Sequence, residues 1–182
     1  RRAGRALVLL DESGFMLQPV CRRTWAPRGQ TPVLWQWDRR DRLSAISALT
    51  VAPRRRRFGL YWALYRHNIR TAEVLRFLQA LRRHLPRGFT LIWDRHGPHR
   101  ATRVAPWLAK YPKTIWVEWL PPYAPDLNPA EHIWSHTKHG DLANFAPADL
   151  DHLEEAVLTS LVRKRGQREL LAACFRGAGL EL

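Results

Sequence analysis

The sequence predicts an α/β domain, a mixed five-stranded sheet flanked by helices, and three observations carry that expectation. Two short apolar runs, Ala6-Leu7-Val8-Leu9-Leu10 and Phe89-Thr90-Leu91-Ile92-Trp93, have the pattern of strands buried on both faces, and each stops at an aspartate. Helical spacing starts only at Thr71 and then alternates with strand-like runs, so helical crossovers between parallel neighbours are expected in the second half. The chain has 182 residues, 46% of them hydrophobic and nine of them tryptophan, which suits one core and argues against a disordered or collagen-like chain. A single domain over residues 1–182 is expected.

The elements follow in order. The first strand, from Ala6, ends at the polar turn Asp11-Glu12-Ser13-Gly14. Arg22-Arg23-Thr24-Trp25 reads as a short edge strand before a turn in the Pro- and Gly-containing stretch from Ala26 to Pro32. Leu43 to Val51 and Phe58 to Tyr65 are β-rich runs separated by Pro53 and Arg54 to Arg57, which predicts an antiparallel hairpin with a basic tip. Val74, Leu75, Leu78, Leu81 and Leu85 fall at helical spacing after a start at Thr71 and Glu73, and Pro86 and Gly88 end that helix. A helix is expected from about His99 to Lys110 and a strand from Thr114 to Leu120. The run Pro121-Pro122-Tyr123-Ala124-Pro125 is too proline-rich for regular structure, and Asn128 with Pro129 supplies the N-cap and first position of the next helix. A last helix from Ala148 to Lys164 precedes a short tail.

The formal net charge of +14 on one small domain points to a polyanionic partner. No apolar run of membrane-spanning length and no basic amphipathic helix favours a membrane over nucleic acid. Cys21 and Cys174 allow at most one disulfide and exclude a multi-cysteine zinc site. Together with the lack of a secretory leader pattern, this fits a cytoplasmic protein.

If the strands ending at Asp11 and Asp94 lie side by side in parallel, their carboxylates meet at one sheet edge. In so basic a chain they need a partner: either an arginine for each, or a shared hard cation such as Mg²⁺. Glu131, third in the helix after Asn128, is a candidate third carboxylate, although it equally suits a capping box closing on the Asn128 N–H. The proline-rich run before it would hold that helix start against the sheet edge.

Three blocks then carry a family resemblance: Asp11-Glu12-Ser13-Gly14-Phe15; Trp93-Asp94-Arg95-His96-Gly97-Pro98-His99-Arg100; and the run from Leu120-Pro121-Pro122-Tyr123 to Asn128-Pro129-Ala130-Glu131-His132-Ile133-Trp134. In order, and with 36 residues between Asp94 and Glu131, they resemble the catalytic blocks of mariner-like DDE transposases of the bacterial insertion-sequence branch. The likeness runs from about Leu7 to Phe175. It implies a ribonuclease-H-like fold, Asp11, Asp94 and Glu131 as a triad holding two Mg²⁺ ions (or Mn²⁺), and DNA as partner, both transposon ends and target DNA. Cleavage at the transposon end, transfer of its 3′-hydroxyl into a TA target, a homodimer and a nucleoid-associated location are implied in the same way. The helix-turn-helix region by which that family recognises its inverted repeats has no counterpart here, so the chain reads as a catalytic core belonging to something longer.

Further basic and aromatic residues are candidate DNA contacts: Arg22, Arg23, Trp25 and Arg28 near the first block, Arg54, Arg55, Arg56 and Arg57 at the hairpin tip, and His99 and Arg100 in the second block. Trp25 suits a core equally well, and the four arginines suit a solvated turn. His99 and Arg100 also suit a supporting role behind the carboxylates. His132 and His136 have zinc-chelating spacing but no HExxH motif. Two other classes stay open: a nucleic-acid-binding module with a structural acidic cluster, and a junction-resolving or ribonuclease-H-type nuclease.

Overall fold

Strands β1 (Ala6–Met16), β2 (Arg42–Val51), β3 (Phe58–Tyr65), β4 (Phe89–Trp93) and β5 (Ile115–Trp119) form one sheet in the order β3-β2-β1-β4-β5. They are seen in a computed structural model that describes residues 4–35, 41–54, 57–94, 99 and 102–181. The first three strands are an antiparallel meander, β1 on β2 and β2 on β3, while β4 joins β1 and β5 joins β4 in parallel. A mixed sheet of this kind is the ribonuclease-H-like arrangement, and its central strand β1 is covered by packed side chains on both faces, which explains its continuous apolar run.

Alternation along the strands divides the core in two. Leu9 of β1 and Leu43, Ala45 and Leu49 of β2 face helices α3 (Pro129–His136), α4 (Leu150–Gly166) and α5 (Arg168–Gly177). Val8 and Leu10 of β1, with Ile46 and Ala48 of β2, face α1 (Thr71–His84) and α2 (Val104–Leu108). Each fully buried aliphatic side chain contributes about 1.5–3 kcal/mol relative to exposure, so a one-residue slip of β1 would put both faces wrong at once.

Several elements differ from the sequence expectation. The strand from Ala6 does not stop at Asp11 but continues to Met16, because β2 pairs with it down to Met16 opposite Arg42. No edge strand forms at Arg22 to Trp25; only Val20 makes an isolated bridge, to Ala143, and residues 21–35 are exposed. Of the helix expected from His99 to Lys110, the described residues show α2, the five residues Val104–Leu108, while Arg100 and Ala101 lie outside the described residues. Helix α1 does start at Thr71 as expected, with Arg70 as the residue before it and the Arg70 N–H donating to Glu73 at 2.9 Å. The tail after Lys164 is helical: Leu171, Cys174 and Phe175 of α5 close the core beneath β3. In the hairpin, Ala52 N–H donates to Arg57 O at 2.8 Å, so Arg54 and Arg57 flank the expected tip; Arg55 and Arg56 lie outside the described residues.

One glycine is demanded by geometry. Gly88 turns the chain from α1 into β4 at φ +81°, and a Cβ there would meet the Thr114 carbonyl oxygen at 2.6 Å. That close approach lets Phe89 N–H bond Thr114 O at 2.8 Å and start the β4–β5 pairing, which aims Asp94.

Candidate active site

Parallel pairing places the first two carboxylates together. Leu9 pairs with Ile92, and continuing that register past the end of β4 sets Asp11 beside Asp94. Asp11 stays within β1 and is only 8% exposed, while Asp94 sits just beyond its strand with a half-exposed side chain. Asn128 ties the third element to them: its side-chain amide donates to Leu10 O at 3.3 Å, and its Oδ1 caps α3 by accepting from Ala130 N–H at 3.2 Å. The Asn128 N–H donates to Pro125 O at 2.8 Å, so it does not close a capping box with Glu131. Glu131, one turn into α3, lines a cavity of about 520 Å³ together with Asp11 and Asp94. The wall is Leu120 to Pro125, where Tyr123 has a left-handed backbone, φ +56°, and a fully exposed ring. A bulky residue in that region stores strain, which is common at functional sites.

Electrostatics mark the site. Burial pushes the Asp11 carboxyl well above the usual aspartate range, and the charges of Glu131, Glu12 and Asp94 push it further. Glu131 is raised too, by desolvation within the cavity and then by Asp94, although Lys138 and His132 pull it back. Oδ2 of Asp11 is buried without a hydrogen-bond partner, an expense a folded protein rarely carries without a ligand to complete it. Three carboxylates that repel one another around an orphaned oxygen fit a hard divalent cation, which takes oxygen donors. Among the described residues no three His, Cys, Asp or Glu side chains form a ready-made cage. Of the pair with zinc-chelating spacing, His132 has Nε2 buried without a hydrogen-bond partner, and among the described residues no third His, Cys, Asp or Glu joins the pair.

His99 is placed away from any surface. Its ring is 2% exposed, lies 4.4 Å from the Trp93 ring at 15°, and has Nδ1 2.8 Å from Asp94 Oδ1 and Nε2 2.8 Å from Glu12 Oε1. Burial alone would pull its pKa down, but the two carboxylate hydrogen bonds outweigh that and raise it to about 9. His99 therefore supports the carboxylates and has no face for DNA, which corrects its inclusion among the phosphate contacts. Glu12 was missed in the sequence; it follows Asp11 on the opposite face of β1, and only the pairing of β1 with β4 reveals it as a neighbour of the second block.

The remaining candidates are scattered. Arg22, Arg23, Trp25 and Arg28 lie on the exposed 21–35 segment, with the Trp25 ring 99% exposed, so its packing alternative is removed. Arg54 and Arg57 flank the hairpin turn, and Arg100 lies outside the described residues. Among the described residues no helix is long and apolar enough to cross a membrane. Both cysteines are free, Cys21 exposed and Cys174 buried.

A five-stranded mixed sheet with helices on both faces and carboxylates gathered at the parallel strand ends defines a ribonuclease-H-like domain. The family model for DDE superfamily endonucleases matches residues 6–154, most of the chain, and the chain belongs to that family. Among solved structures it is similar to the Mos1 transposase paired-end complex with left transposon end (TM-score 0.67, 18% identity, covering 95% of this chain and 51% of that one). A Mos1 mariner paired-end complex with Mn gives a TM-score of 0.64 at 19% identity, with 95% and 51% covered. The Mos1 transposase catalytic domain with Raltegravir and Mn gives 0.53 at 17%, with 97% and 84% covered. The chain thus spans about half the length of the transposase in the paired-end complexes. No curated protein matches it.

Proposed function

We propose that this chain is the catalytic core of a DNA transposase that cuts DNA at transposon ends and joins the freed 3′-hydroxyl to target DNA. The observation that carries this reading is the meeting of Asp11, Asp94 and Glu131 at one cavity, with Asp11 orphaned at Oδ2 and its pKa raised by burial and then by the charges of Glu131, Glu12 and Asp94. These three would hold two divalent cations, Mg²⁺ or Mn²⁺, which supply stabilisation of the charge on the attacking and leaving oxygens of a phosphodiester. Asp11 is held within the central strand β1, so its position is the most firmly fixed of the three. Glu131 approaches from the opposite wall on a helix whose start is pinned to β1 by Asn128. The wall from Leu120 to Pro125 excludes water on one side, and the exposed Tyr123 ring at its lip offers a stacking face for a base beside the cleaved bond. Attack by water or by a 3′-hydroxyl needs no covalent protein intermediate, and among the described residues the site presents no serine or cysteine nucleophile.

The chain would act as one catalytic domain, with end recognition residing elsewhere, and would pair as a homodimer so that two ends meet two sites. It would work at the bacterial nucleoid. The excess of +14 supports DNA contact through phosphates, with Arg22, Arg23, Arg28, Arg54 and Arg57 as the described contacts and Arg55, Arg56 and Arg100 as further ones. Nicking of end-bearing DNA, intact and pre-cut, with and without Mg²⁺ tests the proposal. Mg²⁺-dependent nicking together with joining of the pre-cut end is expected; metal-independent binding with no cleavage would leave only a binding module.

A further inference from the structure

We propose that Glu12 is a positioning residue, holding Asp94 in its working orientation through the buried ring of His99. The inference rests on reading Asp94 as a carboxylate of the proposed active site. Asp94 needs such support, since it lies past the last residue of β4 with a half-exposed side chain, whereas Asp11 is gripped by its strand. His99 bonds it at two points, Nδ1 lying 2.8 Å from Oδ1 and 3.2 Å from the Asp94 carbonyl oxygen.

That contact is only as firm as the ring is fixed. Trp93 stacks on it at 4.4 Å and 15°, with Trp119 behind at 5.6 Å and 23°, so the plane of the imidazole is set. Within that plane, the placing of the ring edges follows from χ1 and from the hydrogen bonds at its two nitrogens. Glu12 Oε1, 2.8 Å from Nε2, holds the ring at the edge remote from Asp94. The three side chains form a line, Glu12 to His99 to Asp94, across the parallel β1–β4 pair, and Glu12 acts from the face of β1 opposite to Asp11. Removing it would loosen the ring at that edge, and with it the bond that orients Asp94. Outer partners of this type typically change metal affinity or activity by about 10–100-fold.

Mn²⁺ binding, measured by calorimetry and by the metal-induced rise in melting temperature, and steady-state nicking should be compared for wild type, Glu12→Ala, Glu12→Gln, His99→Ala, the Glu12→Ala/His99→Ala double variant and Asp94→Asn. Glu12→Ala is expected to weaken Mn²⁺ binding and lower kcat by about tenfold with KM for DNA unchanged. Glu12→Gln keeps an acceptor for the ring and should restore both. The double variant should be no worse than His99→Ala, as for residues acting in one line. Because His99 is buried and its truncation risks the fold, the partly exposed Glu12 carries the decision. Unchanged Mn²⁺ affinity in Glu12→Ala, additive losses in the double variant, or a Glu12→Gln loss as deep as that of Asp94→Asn, which would make Glu12 a ligand itself, each overturns the proposal. Asp94→Asn separates the failures: if it binds Mn²⁺ as wild type does, the triad reading has failed, whereas if only Glu12→Ala is silent, the failure is confined to Glu12.

Discussion

The carboxylate end of the sheet and the segment from Cys21 to Trp35 stand at opposite extremes of how a chain can hold functional groups. At the sheet end each carboxylate has its own restraint: the strand for Asp11, a capped helix for Glu131, a stacked histidine for Asp94. Among the described residues the segment is held at its root, by the Val20–Ala143 bridge and by Arg22 N–H donating to Asn144 Oδ1 at 2.7 Å, and beyond that it exposes Trp25, Val33, Leu34 and Trp35. Chemistry on a phosphodiester demands donors fixed to within fractions of an ångström, whereas gripping a polyanion tolerates a range of positions. Asp11, Asp94 and Glu131 stand on the first kind of scaffold, and Arg22, Arg23 and Arg28 on the second.

The largest way to break this contrast is to loosen the packing behind α3. Asp141, in the π-helical turn Thr137–Asp141 that continues α3, pairs with Lys164 and Arg163 and accepts from the Ser160 hydroxyl at 2.6 Å, and the Lys164 side chain is 2% exposed. Asp141→Ala strands a buried ammonium and should cost about 3–5 kcal/mol. Phe175→Ala in α5 should cost a similar ~3–5 kcal/mol through the cavity it leaves. Urea unfolding measures both. The Asp141 carboxyl is desolvated, which raises its pKa, but the bonds from Lys164 and Ser160 outweigh this and hold it below the ordinary aspartate value. Its contribution is therefore complete above the unfolded value and is lost as pH falls through the lower folded one. Wild type should lose stability below about pH 4 more steeply than Asp141→Asn, read from melting temperature against pH.

A smaller effect of opposite sign is expected at the site. Asp11→Asn removes the most crowded charge, so the metal-free protein should melt higher by a few degrees, at about 2–4 °C per kcal/mol for this chain length. Smallest is the response of the exposed segment: Trp25→Ala should change stability by no more than about 0.5 kcal/mol. Arg22→Ala with Arg23→Ala should leave the fold intact and reduce the salt dependence of DNA affinity, by about 0.9 in log–log slope for each phosphate that is no longer neutralised. If Trp25→Ala destabilised the fold by several kcal/mol, the segment would be packed in solution and the contrast would vanish.

Much of the sheet was legible because burial leaves a periodic trace. Phe58–Tyr65 and Phe89–Trp93 match their strands end for end, since Pro, Gly and charged residues bound them. The continuation of β1 to Met16 was not legible, because Asp11-Glu12-Ser13-Gly14 has turn chemistry that pairing with β2 overrides. Helix α5 was hidden for a related reason: it is stabilised by burying Leu171, Cys174 and Phe175 against the sheet, and its length alone marks no stable helix. At the site, Asp11, Asp94 and Glu131 stood out by context, and the parallel β1–β4 register places the first two side by side. Glu12 could not stand out, because its partner lies 87 residues away and no local pattern joins them.

The central claim is that three carboxylates act as one metal-holding unit. Mn²⁺-dependent melting, followed together with nicking of end DNA, tests it directly on wild type, Asp11→Asn, Asp94→Asn and Glu131→Gln. Ligand binding to the native state alone stabilises by about 2.7 kcal/mol at a hundredfold excess over Kd, so wild type should melt several degrees higher with Mn²⁺, while each variant should lose both that rise and its nicking. An equal Mn²⁺ rise in all four proteins, or full nicking by any one variant, would show that the three residues do not form the site.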